Sequence, residues 1–173
     1  LSSQFVGMNY TVFVVGQMAG TLNGRLVSSS TANWFMGWQS GWQDRFHTDG
    51  WLNSQSVGVQ TNTLKLYTAI GNTRTGSLFS DGTFLAPNNS AFSYGTEAAS
   101  FNNPSITYGP MGHLQLGSWQ GGLSEPSRGD ISELIVYDHA LSDGERRVVE
   151  AYLRAKWAVN GGSTGPMPGV MGT

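Results

Sequence analysis

The chain has 173 residues, 18.6 kDa, with 39% hydrophobic and 12% charged residues, a net charge of −2 and no cysteine. That is one domain's length, enough to hide roughly 70% of the unfolded surface. Without cysteine there is no disulfide, thiolate metal site or cysteine nucleophile. Nine Lys plus Arg make no basic stripe for nucleic acid. No apolar run is long enough to insert in a membrane, and the aromatic content of 12% separates the chain from disordered tails.

Tyr10–Met18 is β-branched and aromatic, the pattern of a buried strand interrupted by Gly16. Arg25–Ser29 and Asn33–Trp38 follow as strands. Trp34, Met36 and Trp38 share one face and Phe35 takes the other. Gly41 breaks the pattern before a strand at Trp42–Phe46, and Asp49-Gly50 reads as a turn. Thr63–Ile70 alternates. Thr75–Phe79 and Thr83–Ala86 flank Asp81-Gly82, the strongest hairpin signal in the chain. Residues 87–112 read as loops with one short strand at Ile106–Tyr108, and His113–Gly117 and Asp130–Tyr137 as late strands.

One helix is expected. Ser142 and Glu145 have capping-box spacing, and Val149, Tyr152, Leu153 and Trp157 recur at helical intervals. Arg154 and Lys156 suit the last turn, whereas Arg146 and Arg147 fit poorly near the first, where the helix dipole favours acids. Residues 160–173 are Gly- and Pro-rich and read as a linker after a domain of residues 1–159. Many short strands and one terminal helix imply an all-β sandwich.

The tail adds a resemblance. Leu114, Leu116 and Gly117 precede Gly129-Asp130-Ile131, then Glu133-Leu134-Ile135-Val136-Tyr137-Asp138. Leu141-Ser142, Glu145-Arg146, Tyr152-Leu153 and Lys156-Trp157 complete the pattern. It resembles the end of a laminin-G-like, concanavalin-A-like jelly-roll domain of the bacterial and phage type. Tyr10–Val15 resembles that family's early strand. The resemblance implies two packed antiparallel sheets with a concave face, a glycan-binding or adhesion role, and a further strand before the first one, so the chain is expected to be a piece of a longer protein. The tail pattern is structural and assigns no binding role to its residues.

Enzyme chemistry finds little support. The Glu-x-Asp-x-x-Glu strand of jelly-roll glucanases is absent, and only Asp44, Asp49, Asp81 and Glu97 precede Ser124 among the acids. Asp44 and Asp49 near His47 form the one tempting cluster. It is either a metal or proton-shuttling site or a polar turn with Arg45 pairing an acid. No cofactor is expected. Calcium is the possible exception, with Asp44, Asp49 and Asp81 as candidates lacking a ligand loop of recognisable spacing.

The aromatic cluster is more informative. Trp34, Trp38, Trp42 and Trp51 lie within eighteen residues. A flat indole matches the C–H face of a pyranose, and neighbouring amides read the hydroxyls. Trp34, Met36 and Trp38 are expected in the core, and Trp157 on a sheet. Trp42, Trp51 and Trp119 are the stacking candidates, with Gln39, Gln43, Asn53 and Gln120 as hydrogen-bonding partners. Arg128-Gly129-Asp130 spells a cell-attachment tripeptide but also opens the last strand pattern.

The expected function is a non-catalytic carbohydrate-binding or adhesion module, secreted or displayed on a cell or virion surface. Its partners would be a polysaccharide or glycan and neighbouring domains. The alternative is a structural, homo-oligomeric subunit of a fibre, surface layer or phage appendage. A glycanase or lyase ranks third.

Overall fold

The computed structural model describes residues 4–5, 9–48, 51–58, 63–72, 75–84 and 111–159, with backbone alone at 4–5, 23, 51–58, 75 and 83–84. Two antiparallel sheets form a sandwich with a helix at the C-terminal end. The six-stranded sheet contains β1 (Gln4–Phe5), β3 (Val27–Ser29), β4 (Trp34–Gln39), β5 (Trp42–Thr48), β6 (Trp51–Gly58) and β10 (Gly112–Leu116). Its order is β1-β10-β3-β4-β5-β6. The five-stranded sheet contains β2 (Tyr10–Asn23), β7 (Lys65–Asn72), β8 (Thr75–Ser80), β9 (Thr83–Phe84) and β11 (Ser127–Tyr137), in the order β11-β2-β7-β8-β9. The helix α1 spans Asp143–Trp157. This is the all-β jelly-roll sandwich that periodicity and resemblance together imply.

β2 is apolar on both faces because both are covered. Tyr10, Val12, Val14 and Met18 point between the sheets, where they meet Val27, Trp34, Met36, Trp38, Phe46, Tyr67 and Leu78. Phe13 and Val15 point the other way, toward Leu66, Leu141 and Leu153 under α1. Such fully buried side chains each contribute roughly 1.5–3 kcal/mol. The strand runs to Asn23, beyond the expected Met18: β11 pairs with it from Thr11 to Met18 and again at Asn23, with register irregularities at Ser127/Gly129 and at Ile131/Glu133, the latter beside Gly16. Trp34 is fully enclosed, and its indole N–H donates to the Tyr10 hydroxyl at 2.7 Å.

Two hairpin turns place the polar ends. Asp81-Gly82 joins β8 to β9 with both residues at positive φ, as the sequence predicts. Ser40-Gly41 joins β4 to β5 in the same way, at φ 52° and 79°, so the expected break at Gly41 is a two-residue hairpin turn.

α1 carries the full capping box: Ser142 Oγ accepts from the Glu145 N–H, and the Glu145 carboxylate accepts from the Ser142 N–H at 2.8 Å. Arg146 is not awkward in its setting. It is buried across the Phe79 ring at 3.9 Å and paired with both Asp143 and Glu150. Arg147 reaches Asp143 at 2.8 Å. Trp157 packs beside the sheet and donates to Glu133 at 2.6 Å.

The tripeptide Arg128-Gly129-Asp130 lies within β11, paired to β2, with Asp130 accepting from Gln17. No helix among the described residues is long and apolar enough to cross a membrane. The expected Asp49-Gly50 turn, the strand at Ile106–Tyr108 and the tail from residue 160 lie outside the described residues.

Candidate functional site

The sandwich leaves one face of the six-stranded sheet turned away from both the core and α1. Alternation along β3, β4 and β5 assigns its residues. Val27, Met36 and Phe46 enter the core, so Ser28, Phe35 and His47, paired in register, face outward. Phe35 and His47 stack with planes 10° apart. The His47 Nδ1–H donates to the Asn33 carbonyl at 2.6 Å. Phe35 is nonetheless buried, with Arg25 over its ring at 4.4 Å. The same guanidinium also lies over the Trp119 ring at 4.0 Å.

Trp119 arrives on the connection between β10 and β11. That loop closes on itself through reciprocal backbone hydrogen bonds between Trp119 and Ser124. It is tied to the face by Ser28, whose hydroxyl donates to the Ser118 carbonyl, and by Gln115, whose amide donates to Ser118 Oγ at 2.6 Å and accepts from Gly121 N–H at 3.0 Å. Arg25 pairs with Glu125 from the same loop. Burial pulls the Arg25 guanidinium below its ordinary pKa, and Glu125 opposes that shift by favouring the cation.

Glu125 links the loop to the β4–β5 hairpin. Its Oε1 accepts from the Gln39 amide at 2.5 Å and from Ser40 Oγ at 3.3 Å. Gln39 Oε1 accepts from Arg45 at 2.5 Å, and Arg45 lies 5.7 Å from the Trp42 ring. Trp42 pairs with Gln39 across the hairpin and is 38% exposed, while Trp119 is half-buried. Two indoles therefore stand on one face with a carboxylate, an amide and a hydroxyl between them. That combination offers apolar rings and adjacent hydrogen-bonding groups to a polyhydroxylated ligand.

The candidates named from sequence separate accordingly. Gln39, Trp42 and Trp119 come together, and Gln120 is exposed beside Trp119 in a short 3-10 turn. Gln43 is buried opposite Trp38, so its amide is not presented to solvent. Trp51 and Asn53 lie on β6, opposite His47 and Phe46, and their side chains are outside the described residues. Asp44 occupies a bulge at φ 62° and turns toward the five-stranded sheet. There its carboxylate accepts from the Tyr67 hydroxyl and lies 3.5 Å from Lys65. Burial first, then the Asp44 charge, pushes the Tyr67 phenol well above its ordinary range. The cation beside Asp44 is thus Lys65. Asp81 approaches the same lysine at 4.0 Å, and Asp49 lies outside the described residues. Among the described residues no three His, Asp or Glu side chains gather as a metal site.

Arg25 and Glu125 escaped the sequence reading. Glu125 follows Arg25 by 100 residues, and neither sits in a periodic pattern. The local trace of their meeting is Gly24. A Cβ there would fall 2.0 Å from the Glu125 carbonyl, so glycine is what lets the two segments meet.

No family model matches the chain, and no curated protein does. Solved structures do resemble it. Part of the Trypanosoma rangeli sialidase superposes with a TM-score of 0.57 at 16% identity, over 82% of this chain and 22% of that one. The same enzyme in complex with sialic acid gives 0.52 at 15% identity, over 84% and 23%. Domain 4 of an extracellular GH43 arabinanase from Geobacillus stearothermophilus, in complex with arabinotriose, gives 0.53 at 15% identity, over 82% and 67%. The chain thus spans less than a quarter of the sialidase, and at these identities the likeness is one of fold, that of a β-sandwich domain.

Proposed function

We propose that the chain is a non-catalytic, laminin-G-like carbohydrate-binding module of a secreted or surface-displayed protein, and that the outward face of the six-stranded sheet holds the glycan. The observation that carries this reading is the placement of exposed Trp42 and half-buried Trp119 on one face, joined by Gln39, Ser40 and Glu125. Trp is costly to leave in water, and a sugar ring's C–H face is a fitting cover. The fold resemblance to domains of a sialidase and an arabinanase supports the choice of sialic acid and arabinotriose as first probes. Each site is expected to bind weakly, with avidity from repetition or display.

The test is titration of these probes, followed by a glycan array, on the wild type, Trp42→Ala and Trp119→Ala. Each substitution is expected to weaken binding at least tenfold while leaving the fold intact. Binding that both variants retain in full would overturn the reading.

A structural-subunit reading has one observation in its favour: Leu123, at the tip of the Trp119 loop, is 89% exposed. It predicts a tight homo-oligomer in light scattering that Leu123→Ser dissociates, with no array hit.

A further inference from the structure

A guanidinium between two aromatic rings is common enough. This one has three properties that a mere core filler lacks. First, it is nearly sealed: Arg25 is 4% exposed, held between Phe35 and Trp119. Second, it is anchored at both backbone and side chain to the loop that carries Trp119. The Arg25 N–H donates to the Glu125 carbonyl at 3.1 Å, the Gly24 N–H donates to the Pro126 carbonyl at 3.0 Å, and Nε pairs with the Glu125 carboxylate. Third, the pairing is incomplete, because Nη1 is buried with no hydrogen-bond partner among the described residues. An apolar side chain of similar length would fill this space without a desolvated charge. Retaining arginine makes sense where its planar group does a job a flexible apolar chain cannot.

We infer that Arg25 is a positioning residue. It fixes the plane of the Trp119 indole by occupying one of its faces, and through Glu125 it fixes that indole relative to Trp42. The loop backbone alone does not do this. Gly117, Gly121 and Gly122, all at positive φ, surround the tryptophan, and its ring has torsional freedom that only a stacked partner removes. Glu125 holds Arg25 with one oxygen and Gln39 and Ser40 with the other, so loop and hairpin move as a unit. The two indoles thereby keep a set separation, and the length of glycan that can touch both is selected before binding. The coupling to glycan length rests on the proposed function above; the fixing of the ring does not.

Two measurements test this on the full chain labelled with 5-fluorotryptophan, the Trp119 signal being assigned with Trp119→Phe. In ligand-free protein, Arg25→Met is expected to shift the Trp119 fluorine resonance and raise its solvent-isotope effect, with the Trp34 and Trp38 signals unmoved. Glu125→Gln is expected to do the same to a smaller extent, and Arg25→Lys to restore part of the wild-type position. An unchanged Trp119 signal in a folded Arg25→Met protein overturns the inference. Should Arg25→Met not fold, Glu125→Gln decides the matter on the same signal.

The second measurement is binding of sialic acid and arabinotriose. Arg25→Met is expected to weaken binding about tenfold, and Arg25→Met with Trp119→Ala to bind no more weakly than Trp119→Ala alone, because one residue acts through the other. Additive losses overturn the positioning role. If Trp119→Ala and Trp42→Ala both change nothing, the glycan reading fails while the fluorine result still judges Arg25.

Discussion

Among the described residues two arginines are buried, on opposite sides of the sandwich, and they are treated differently. Arg146 lies on Phe79 beneath the helix and is held by Asp143 and Glu150, with Glu150 also accepting from Thr68 at 2.8 Å. Burial works against its charge, yet the two carboxylates together hold its pKa above the ordinary value. Arg25 lies between Phe35 and Trp119, has one carboxylate, and keeps a buried nitrogen unpaired among the described residues. The first arrangement is closed and complete, as a scaffold needs. The second is under-satisfied, and its aromatic partner is still half-open to solvent. A buried polar atom left short of a partner in a well-packed protein calls for an explanation, and the positioning of Trp119 supplies one for Arg25.

Removing each arginine is the most direct way to break this comparison. Arg146→Met leaves Glu150 buried without its cation and should cost about 3–5 kcal/mol in chemical denaturation. It should leave the Trp119 environment untouched. Arg146→Met combined with Glu150→Met should regain most of that loss, since paired removal strands no charge. Arg25→Met should cost less, about 1–2 kcal/mol, because Glu125 is partly exposed and keeps Gln39 and Ser40 as partners. Equal losses at the two sites would show that Arg25 is as structural as Arg146.

The helix N-terminus supplies a smaller effect. Ser142→Ala removes the cap and should cost about 1 kcal/mol, read as a lowered midpoint in urea. Trp42→Ala should change stability least, within about 0.5 kcal/mol for an exposed position, while carrying the binding loss described above.

Acid sharpens the same contrast. On the helix side, hydrogen bonds from Trp157 and then Lys156 hold the Glu133 carboxyl below its ordinary value. Arg146 does the same for Asp143, and Ser142 for Glu145. With folded pKa values depressed, the unfolded chain binds more protons, so this stabilisation is complete above the ordinary carboxylate range and is lost as pH falls through the folded values. Stability measured from pH 6 downward should therefore decline below about pH 4.5, and Glu133→Gln should flatten the decline slightly.

Much of the scaffold was legible along the chain. The Ser142–Glu145 capping box, the Asp81-Gly82 hairpin and the inward set Trp34, Met36 and Trp38 are all local patterns, and the structure keeps them. Trp42 was also legible as a candidate for exposure, because a glycine turn precedes it. Gln43 was not legible as buried, since the bulge at Asp44 alters the facing of its neighbours. Arg146 looked misplaced because the helix dipole is a local rule, whereas its partner ring Phe79 comes from another strand.

The sequence by itself determined the layers. Alternation of period two and a single amphipathic helix leave few ways to bury the apolar residues, and each signal spans only a few positions. The tertiary structure alone decided what stands on the outward face of the six-stranded sheet. β10 is inserted between β1 and β3, bringing a loop from beyond residue 116 over strands from the first quarter of the chain. Contacts such as Arg25 with Glu125 and Trp119 arise from that closure across a hundred residues, and no local periodicity records it.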